Sequence, residues 1–230
     1  MNLISIVIPI YNEEDYIRNL IDEIFDVVKL NFELILVDDG SNDNTYHILR
    51  ELKNIYNFNI ISNKLNKGQS FSIKKGIENA KYETIVTLDA DGQNDPKDIA
   101  LLYNKYFQNK TIKMVGGIRK NRKDSSIKIY SSKIANYIRM KILNDNCKDT
   151  GCSLKIFDKK IFLKFPYFNG IHRFIPALFS GKGYETAFIN VSHRPRTTGI
   201  SKYGTFDRLF KGILDIYRVK KIINQKGFDD

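Results

Sequence analysis

Thr84-Ile85-Val86-Thr87-Leu88-Asp89-Ala90-Asp91-Gly92-Gln93 reads as a buried strand that ends in two carboxylates one residue apart. The short, β-branched apolar run is what a strand covered on both faces looks like, as in a parallel sheet. Strand ends turn, and a turn lets both aspartates converge on one divalent cation. Hard oxygen ligands of this kind suit Mg²⁺ or Mn²⁺, which keep several waters and bridge to substrate phosphates. A lone Asp-x-Asp is more often a plain acidic turn, so its meaning rests on its surroundings.

Upstream, strand and helix patterns alternate. Ile4-Ser5-Ile6-Val7-Ile8-Pro9-Ile10 is a second β-branched run. Asn12 is expected to cap a helix whose first turn, Glu13-Glu14-Asp15, suits the positive end of the helix dipole. Leu20, Ile21, Ile24, Phe25 and Val28 follow at helical spacing. A strand over 33–37 leads into the turn Asp38-Asp39-Gly40-Ser41 and a helix capped near Asn42 or Asp43. A strand over 59–62, a turn at Gly68 and a helix over 70–80 lead back to Thr84. Repeated βα units of this length imply a mostly parallel sheet with right-handed crossovers. Ligands then gather at the carboxyl ends of the strands, where residues 9–13, 38–41 and 89–93 all fall and can form one site.

Downstream, a strand over 114–118 precedes the basic run Arg119-Lys120-Asn121-Arg122-Lys123. A helix over 127–143, the segment Asp149-Thr150-Gly151-Cys152 and a strand over 153–157 follow. Next are a helix starting near Arg173, a strand over 187–191, a loop from His193 to Lys202 and a closing helix over 203–224. No linker, internal repeat or low-complexity tract interrupts the 230 residues, so one α/β domain is expected.

The formal charge of +11 is unevenly placed: residues 1–110 carry 12 basic and 17 acidic side chains, residues 111–230 carry 25 and 9. The first half suits a metal with its nucleotide. The second suits an anionic partner, whether nucleic acid, lipid phosphate or membrane surface. Cys147 and Cys152 have no paired histidines for zinc and no secretory context for a disulfide, and read as buried reduced thiols of a cytosolic protein. No apolar run approaches the ~18–20 residues of a membrane span, and no leader-like segment precedes the first strand.

Six segments, in this order, resemble family 2 glycosyltransferases of the GT-A fold: Val7-Ile8-Pro9-Ile10-Tyr11-Asn12-Glu13, Val37-Asp38-Asp39-Gly40-Ser41, Asn66-Lys67-Gly68-Gln69, Asp89-Ala90-Asp91-Gly92-Gln93, Asp149-Thr150-Gly151-Cys152, and His193-Arg194-Pro195-Arg196 ending at Ser201-Lys202-Tyr203-Gly204. The resemblance is to the polyprenyl-phosphate branch, like dolichol-phosphate mannose synthase, and runs from Ile4 to about Gly204. The chain has no Trp and therefore no Gln-x-x-Arg-Trp motif, which sets it apart from the processive cellulose- and chitin-synthase branch.

The resemblance implies inverting transfer of a sugar from a nucleoside-diphosphate sugar (GDP-mannose or a UDP-hexose) to a polyprenyl phosphate, with Mg²⁺ or Mn²⁺ as cofactor. It implies Asp89, Asp91 and Gln93 at the metal, and Pro9, Tyr11, Glu13 and Asp39 around the base and ribose; Asp38 would instead orient its turn. Most sugar transferases need a carboxylate base to deprotonate a hydroxyl. A lipid monophosphate is already anionic at neutral pH and needs cationic positioning instead. Arg119, Arg122, Arg194, Arg196 and Lys202 offer that, as bidentate forks and a point charge. Asp149 is read either as a base near the acceptor or as an organiser of arginine side chains.

The implied division is 1–110 for the nucleotide sugar, 111–204 for the acceptor and 205–230 as an amphipathic C-terminal helix. Many members of this branch continue into two membrane-spanning helices. Here the expectation is peripheral attachment at the cytoplasmic membrane face, by that helix lying on anionic lipid or docking to a small membrane protein; its docking on the domain's own core fits the spacing equally well. Two rivals remain: a family 2 transferase with a hydroxyl acceptor and Asp149 as base, and a non-catalytic nucleic-acid-binding protein. The second leaves the Asp89/Asp91 pair unexplained and has no visible motif, so no nucleic-acid partner is expected.

Overall fold

The computed structural model describes residues 2–120, 126–195 and 205–225. β1 (Ile4–Ile10), β2 (Phe32–Asp38), β3 (Asn59–Ser62), β4 (Thr84–Thr87), β5 (Ile112–Arg119), β6 (Lys155–Asp158) and β7 (Glu185–Val191) form one sheet in the order β3-β2-β1-β4-β6-β5-β7. The pairs β1–β2, β2–β3, β1–β4 and β5–β7 are parallel, while β6 runs antiparallel to both β4 and β5. The mostly parallel sheet expected from the sequence is present, with β6 reversed inside it.

Helices α1 (Ile17–Val27), α2 (Thr45–Leu52), α3 (Gln69–Glu78), α4 (Asp98–Gln108), α5 (Ser126–Leu143), α6 (Lys159–Lys164), α7 (Ile171–Gly181) and α8 (Thr205–Asn224) cover the sheet. Alternation along β1 sorts the core into two layers. Ile4, Ile6, Ile8 and Ile10 pack with Leu20 and Ile24 of α1, Leu49 of α2 and Leu102 of α4. Val7 faces the other way, with Ile73 and Ile77 of α3 and Ile175 and Leu178 of α7. Full burial of each such side chain stabilises the fold by about 1.5–3 kcal/mol, and this explains why the strands read as continuous apolar runs.

Three local readings change. Asn12 does not cap α1, which begins at Ile17; its φ is 54° and its Oδ1 accepts from Asn42 N at 2.9 Å. The β1–α1 loop is instead zipped to the β2–α2 loop. Asn12 N donates to Ser41 Oγ, Glu13 N to Thr45 Oγ1 and Glu14 N to Asp43 Oδ2, while Asn44 N donates to Glu14 Oε2. α4 and α6 were not anticipated. Before α4, Asp95 Oδ1 accepts from Lys97 N and Pro96 opens the turn, so an ordinary helix start lay inside a stretch read for its acids.

α8 docks one face on the core: Asp215, Val219 and Ile222 are buried, and Arg173 Nη2 of α7 meets Asp215 Oδ2 at 2.9 Å. Its other face leaves Ile213, Leu214 and Tyr217 exposed at 61%, 54% and 74%. Among the described residues no helix is long and apolar enough to cross a membrane. Cys147 and Cys152 are free, buried thiols, and burial pushes Cys147 up to about 11.

Candidate active site

The strand order reverses at β1, which is followed in sequence by β2 on one side and flanked by β4 on the other. β4 pairs with β1 only as far as Val7↔Thr87, whereas β2 continues alongside β1 to Ile10↔Asp38. The last turn of β1 is therefore open on its β4 side. Pro9, which lacks an N–H, sits in that stretch, and a crevice at such a switch point is where open α/β sheets bind ligands. Pro9 in β1, and Tyr11 and Glu13 just after it, are partly exposed.

Asp38 and Asp39 divide their work at the β2 exit. Asp38 accepts from Ser41 N and Ser62 Oγ, so it shapes the turn. Asp39, 2% exposed, accepts from Asn63 Nδ2 at 2.7 Å, Lys67 N at 3.0 Å and Gly68 N at 2.7 Å. It thus ties the β2 exit to the start of α3. Gly68 has φ +90°, a conformation that β-carbon-bearing residues rarely adopt, while a Cβ there would meet only Asn169 Oδ1, at an ordinary 3.9 Å. Backbone geometry therefore demands glycine there, rather than crowding within the protein.

At the β4 exit Asp89 is partly buried. Its backbone N–H donates to Ser153 Oγ at 3.2 Å, and its Oδ1 accepts from Gln69 Nε2 at 2.7 Å. Ser153 Oγ also donates to Asn94 Oδ1, so the segment entering β6 braces the turn. Burial and the Asp91 carboxylate push Asp89 up to about 6, opposed by Ser153, Lys155 and Arg119. An excess of negative charge on hard oxygens is what a divalent cation would balance, so the residues present fit one. Among the described residues no group of three or more His, Cys, Asp or Glu gathers on one point.

Across the sheet, Arg119 at the end of β5 forms a fork on Asp149: Nε to Oδ2 and Nη2 to Oδ1, both at 2.8 Å, with Arg119 N on Oδ2 at 3.2 Å. Asp149 is 5% exposed, and Thr150 Oγ1 donates to Asn136 Oδ1 on α5. Of the two readings left open for Asp149, this geometry favours the organiser. Arg194 is engaged elsewhere, with Glu23 and Asp95. Arg122, Arg196 and Lys202 lie outside the described residues.

Sequence reading assigned no site role to Gln69, Ser70, Ser153, Lys155 or His172. Lys155 is 3% exposed and its Nζ donates to Cys152 O. Ser70 Oγ accepts from Gly170 N at 2.8 Å and shares a hydrogen bond with His172 Nδ1 at 2.7 Å. Burial, with Arg173 and Lys155 adding to it, lowers His172 to about 3. The ring is neutral at any working pH.

Residues 5–165 match the family described as Glycosyl transferase family 2. The chain belongs to this family. It is 35% identical to the dodecaprenyl-phosphate galacturonate synthase of Rhizobium johnstonii over 97% of this chain and 68% of that protein. It is 34% identical to the undecaprenyl-phosphate 4-deoxy-4-formamido-L-arabinose transferase of Aeromonas hydrophila over 89% of this chain and 64% of that one. It thus spans about two thirds of these relatives' length. Among solved structures, glucosyl-3-phosphoglycerate synthase from Mycobacterium tuberculosis, in complex with Mn²⁺, uridine diphosphate and phosphoglyceric acid, superimposes with a TM-score of 0.73 at 16% identity, over 98% of this chain and 80% of that chain. That likeness shows the fold. As a family 2 member the protein is a glycosyltransferase.

Proposed function

We propose that this glycosyltransferase moves a sugar from a nucleoside-diphosphate donor to a polyprenyl phosphate, with inversion by in-line displacement, at the cytoplasmic face of a membrane. The observation that carries the reading is the pairing of Asp149 with Arg119. The carboxylate that would serve as general base gives both oxygens to a guanidinium. A base so engaged is poor at taking a proton, whereas an acceptor phosphate brings its own charge and needs none. The two similar proteins named above, both acting on prenyl phosphates, support the same acceptor.

In this reading Pro9, Tyr11, Glu13 and Asp39 frame the nucleotide, and Asp89, Asp91 and the Gln93 amide oxygen hold Mg²⁺ or Mn²⁺. The cation supplies counter-charge to the departing diphosphate. Gln69 Nε2 holds Asp89 Oδ1 and Ser153 Oγ holds the Asp89 N–H, so the carboxylate is oriented before the donor arrives. Asp149 presents Arg119 to the acceptor phosphate, with Arg122, Arg196 and Lys202 as further cations. The acceptor reaches the site from the bilayer surface. Exposed Ile213, Leu214 and Tyr217 of α8 lie on a helix in contact with α5, which itself exposes Ile134, Tyr137, Ile138 and Ile142. Exposed Lys141, Lys220 and Lys221 accompany them, a mixture suited to anionic lipid.

The test is a screen of radiolabelled nucleotide sugars with undecaprenyl or dolichyl phosphate and Mg²⁺ or Mn²⁺, followed by lipid extraction. Label should enter the lipid phase only when the prenyl phosphate is present. Transfer to a hydroxyl acceptor with none to the lipid phosphate would overturn the reading.

A further inference from the structure

The segment leaving β7 is stitched along the acid turn that follows β4. Ser192 N donates to Asp98 Oδ2 at 2.6 Å, and Arg194 N donates to Gln93 O at 2.9 Å. The Arg194 guanidinium then forks onto Glu23 of α1, Nη1 to Oε2 at 2.8 Å and Nη2 to Oε1 at 2.7 Å, and Nη2 also meets Asp95 Oδ2 at 2.7 Å. Asp95 is itself a knot, holding Lys97 N through its side chain and Asp98 N through its carbonyl. One side chain therefore joins α1, the turn carrying Asp91 and Gln93, and the end of β7. The cluster of one guanidinium and two carboxylates carries a net charge of −1, which repels a phosphate rather than attracting it.

We propose that Arg194 is a positioning residue for the metal turn: its fork holds Asp95, and its N–H holds the Gln93 carbonyl, so that Asp91 and Gln93 face the cation as one rigid loop. This rests on the assignment of Asp89, Asp91 and Gln93 to the metal, and does not depend on which acceptor is used. Outer partners that orient metal ligands alter affinity about 10- to 100-fold when removed. Arg keeps its charge at any working pH, and the hydrogen bonds to Glu23 reinforce that, so the guanidinium of the clamp does not titrate.

The experiment measures Mn²⁺ binding directly, by electron paramagnetic resonance of free Mn²⁺, for the full chain with and without UDP or GDP. Thermal midpoint and acceptor KM are measured alongside. Arg194→Gln should weaken Mn²⁺ binding at least tenfold, Arg194→Lys less, and Glu23→Gln in the same direction, at temperatures well below each midpoint. Glu23 lies outside the crevice, so that variant carries the test if Arg194→Gln fails to fold. A rise in acceptor KM with unchanged Mn²⁺ affinity would make Arg194 a phosphate ligand and overturn the proposal. A lowered midpoint with Mn²⁺ affinity and KM both unchanged would reduce it to a strut and overturn it as well. If wild type binds no Mn²⁺, the metal assignment itself fails, a distinct result.

Discussion

Burial and the Asp91 carboxylate raise Asp89 from 3.8 to about 6, so at neutral pH the folded protein carries a carboxylate that the unfolded chain tolerates better. The sign follows from proton binding. The folded state holds this proton more tightly, so the group's contribution to stability is complete below about pH 4, falls as pH rises through about 6, and is gone above. Asp89→Asn removes the penalty while keeping an acceptor for Gln69. At pH 7.5 without metal, the variant should be more stable than wild type by about 1–2 kcal/mol, though inactive. Mn²⁺ should raise the wild-type unfolding midpoint at pH 7.5, less so at pH 5.5, and leave the variant unmoved. Equal stabilisation of both by Mn²⁺ would remove Asp89 from the metal site. Asp89 and Asp91 were legible in sequence because two acids one residue apart advertise shared chemistry. Ser153 was not, because it reaches Asp89 from 64 residues away and a lone serine has no pattern.

Helix α8 shows what periodicity can and cannot decide at the scale of an element. Its spacing of apolar and basic residues fitted either a membrane or the domain's own core. The structure divides the faces: Val219 and Ile222 go inward with Asp215, and Ile213, Leu214 and Tyr217 go outward. If the outward face meets lipid, replacing those three by Ser should change stability by less than about 1 kcal/mol and abolish sedimentation with anionic vesicles. Retained sedimentation would move the contact elsewhere. The first four strands were readable to within one residue, because short β-branched runs bounded by turn residues suit strands, whereas β5, β6 and β7 each begin two residues away from where the sequence put them. Asn12 misled because a cap is a local inference. Its backbone is set instead by a neighbouring loop some 30 residues on, which no local signal reveals.

For the whole molecule, the split between an acidic first half and a strongly basic second half acquires a direction. The excess of cations falls in residues 111–230, whose strands β6, β5 and β7 make up one side of the sheet beyond β4, and the Asp89/Asp91 turn follows β4, where that half meets the acidic one. A charged surface acts over a Debye length of about 8 Å at physiological salt. Transfer to acceptor embedded in anionic vesicles should therefore fall steeply as salt rises from about 50 to 500 mM. Transfer to the same acceptor in neutral detergent micelles should change far less, since only the binding of the phosphate itself is then screened. Matching losses in the two formats would show that charge serves the phosphate alone and not the surface.

The reversal of β6 constrains how such a protein can evolve. Its register is pinned by Thr87↔Lys155 and Thr84↔Asp158 on one side and Gly116↔Lys155 on the other. Insertion or deletion of one residue between Ser153 and Lys155 would change the spacing of Ser153 from this pinned strand, disconnecting Asp89 from its brace. Length variation among descendants should therefore collect in the loop before Asp149 and in the loop between α6 and α7. The few residues between Cys152 and Asp158 should change in identity but never in number.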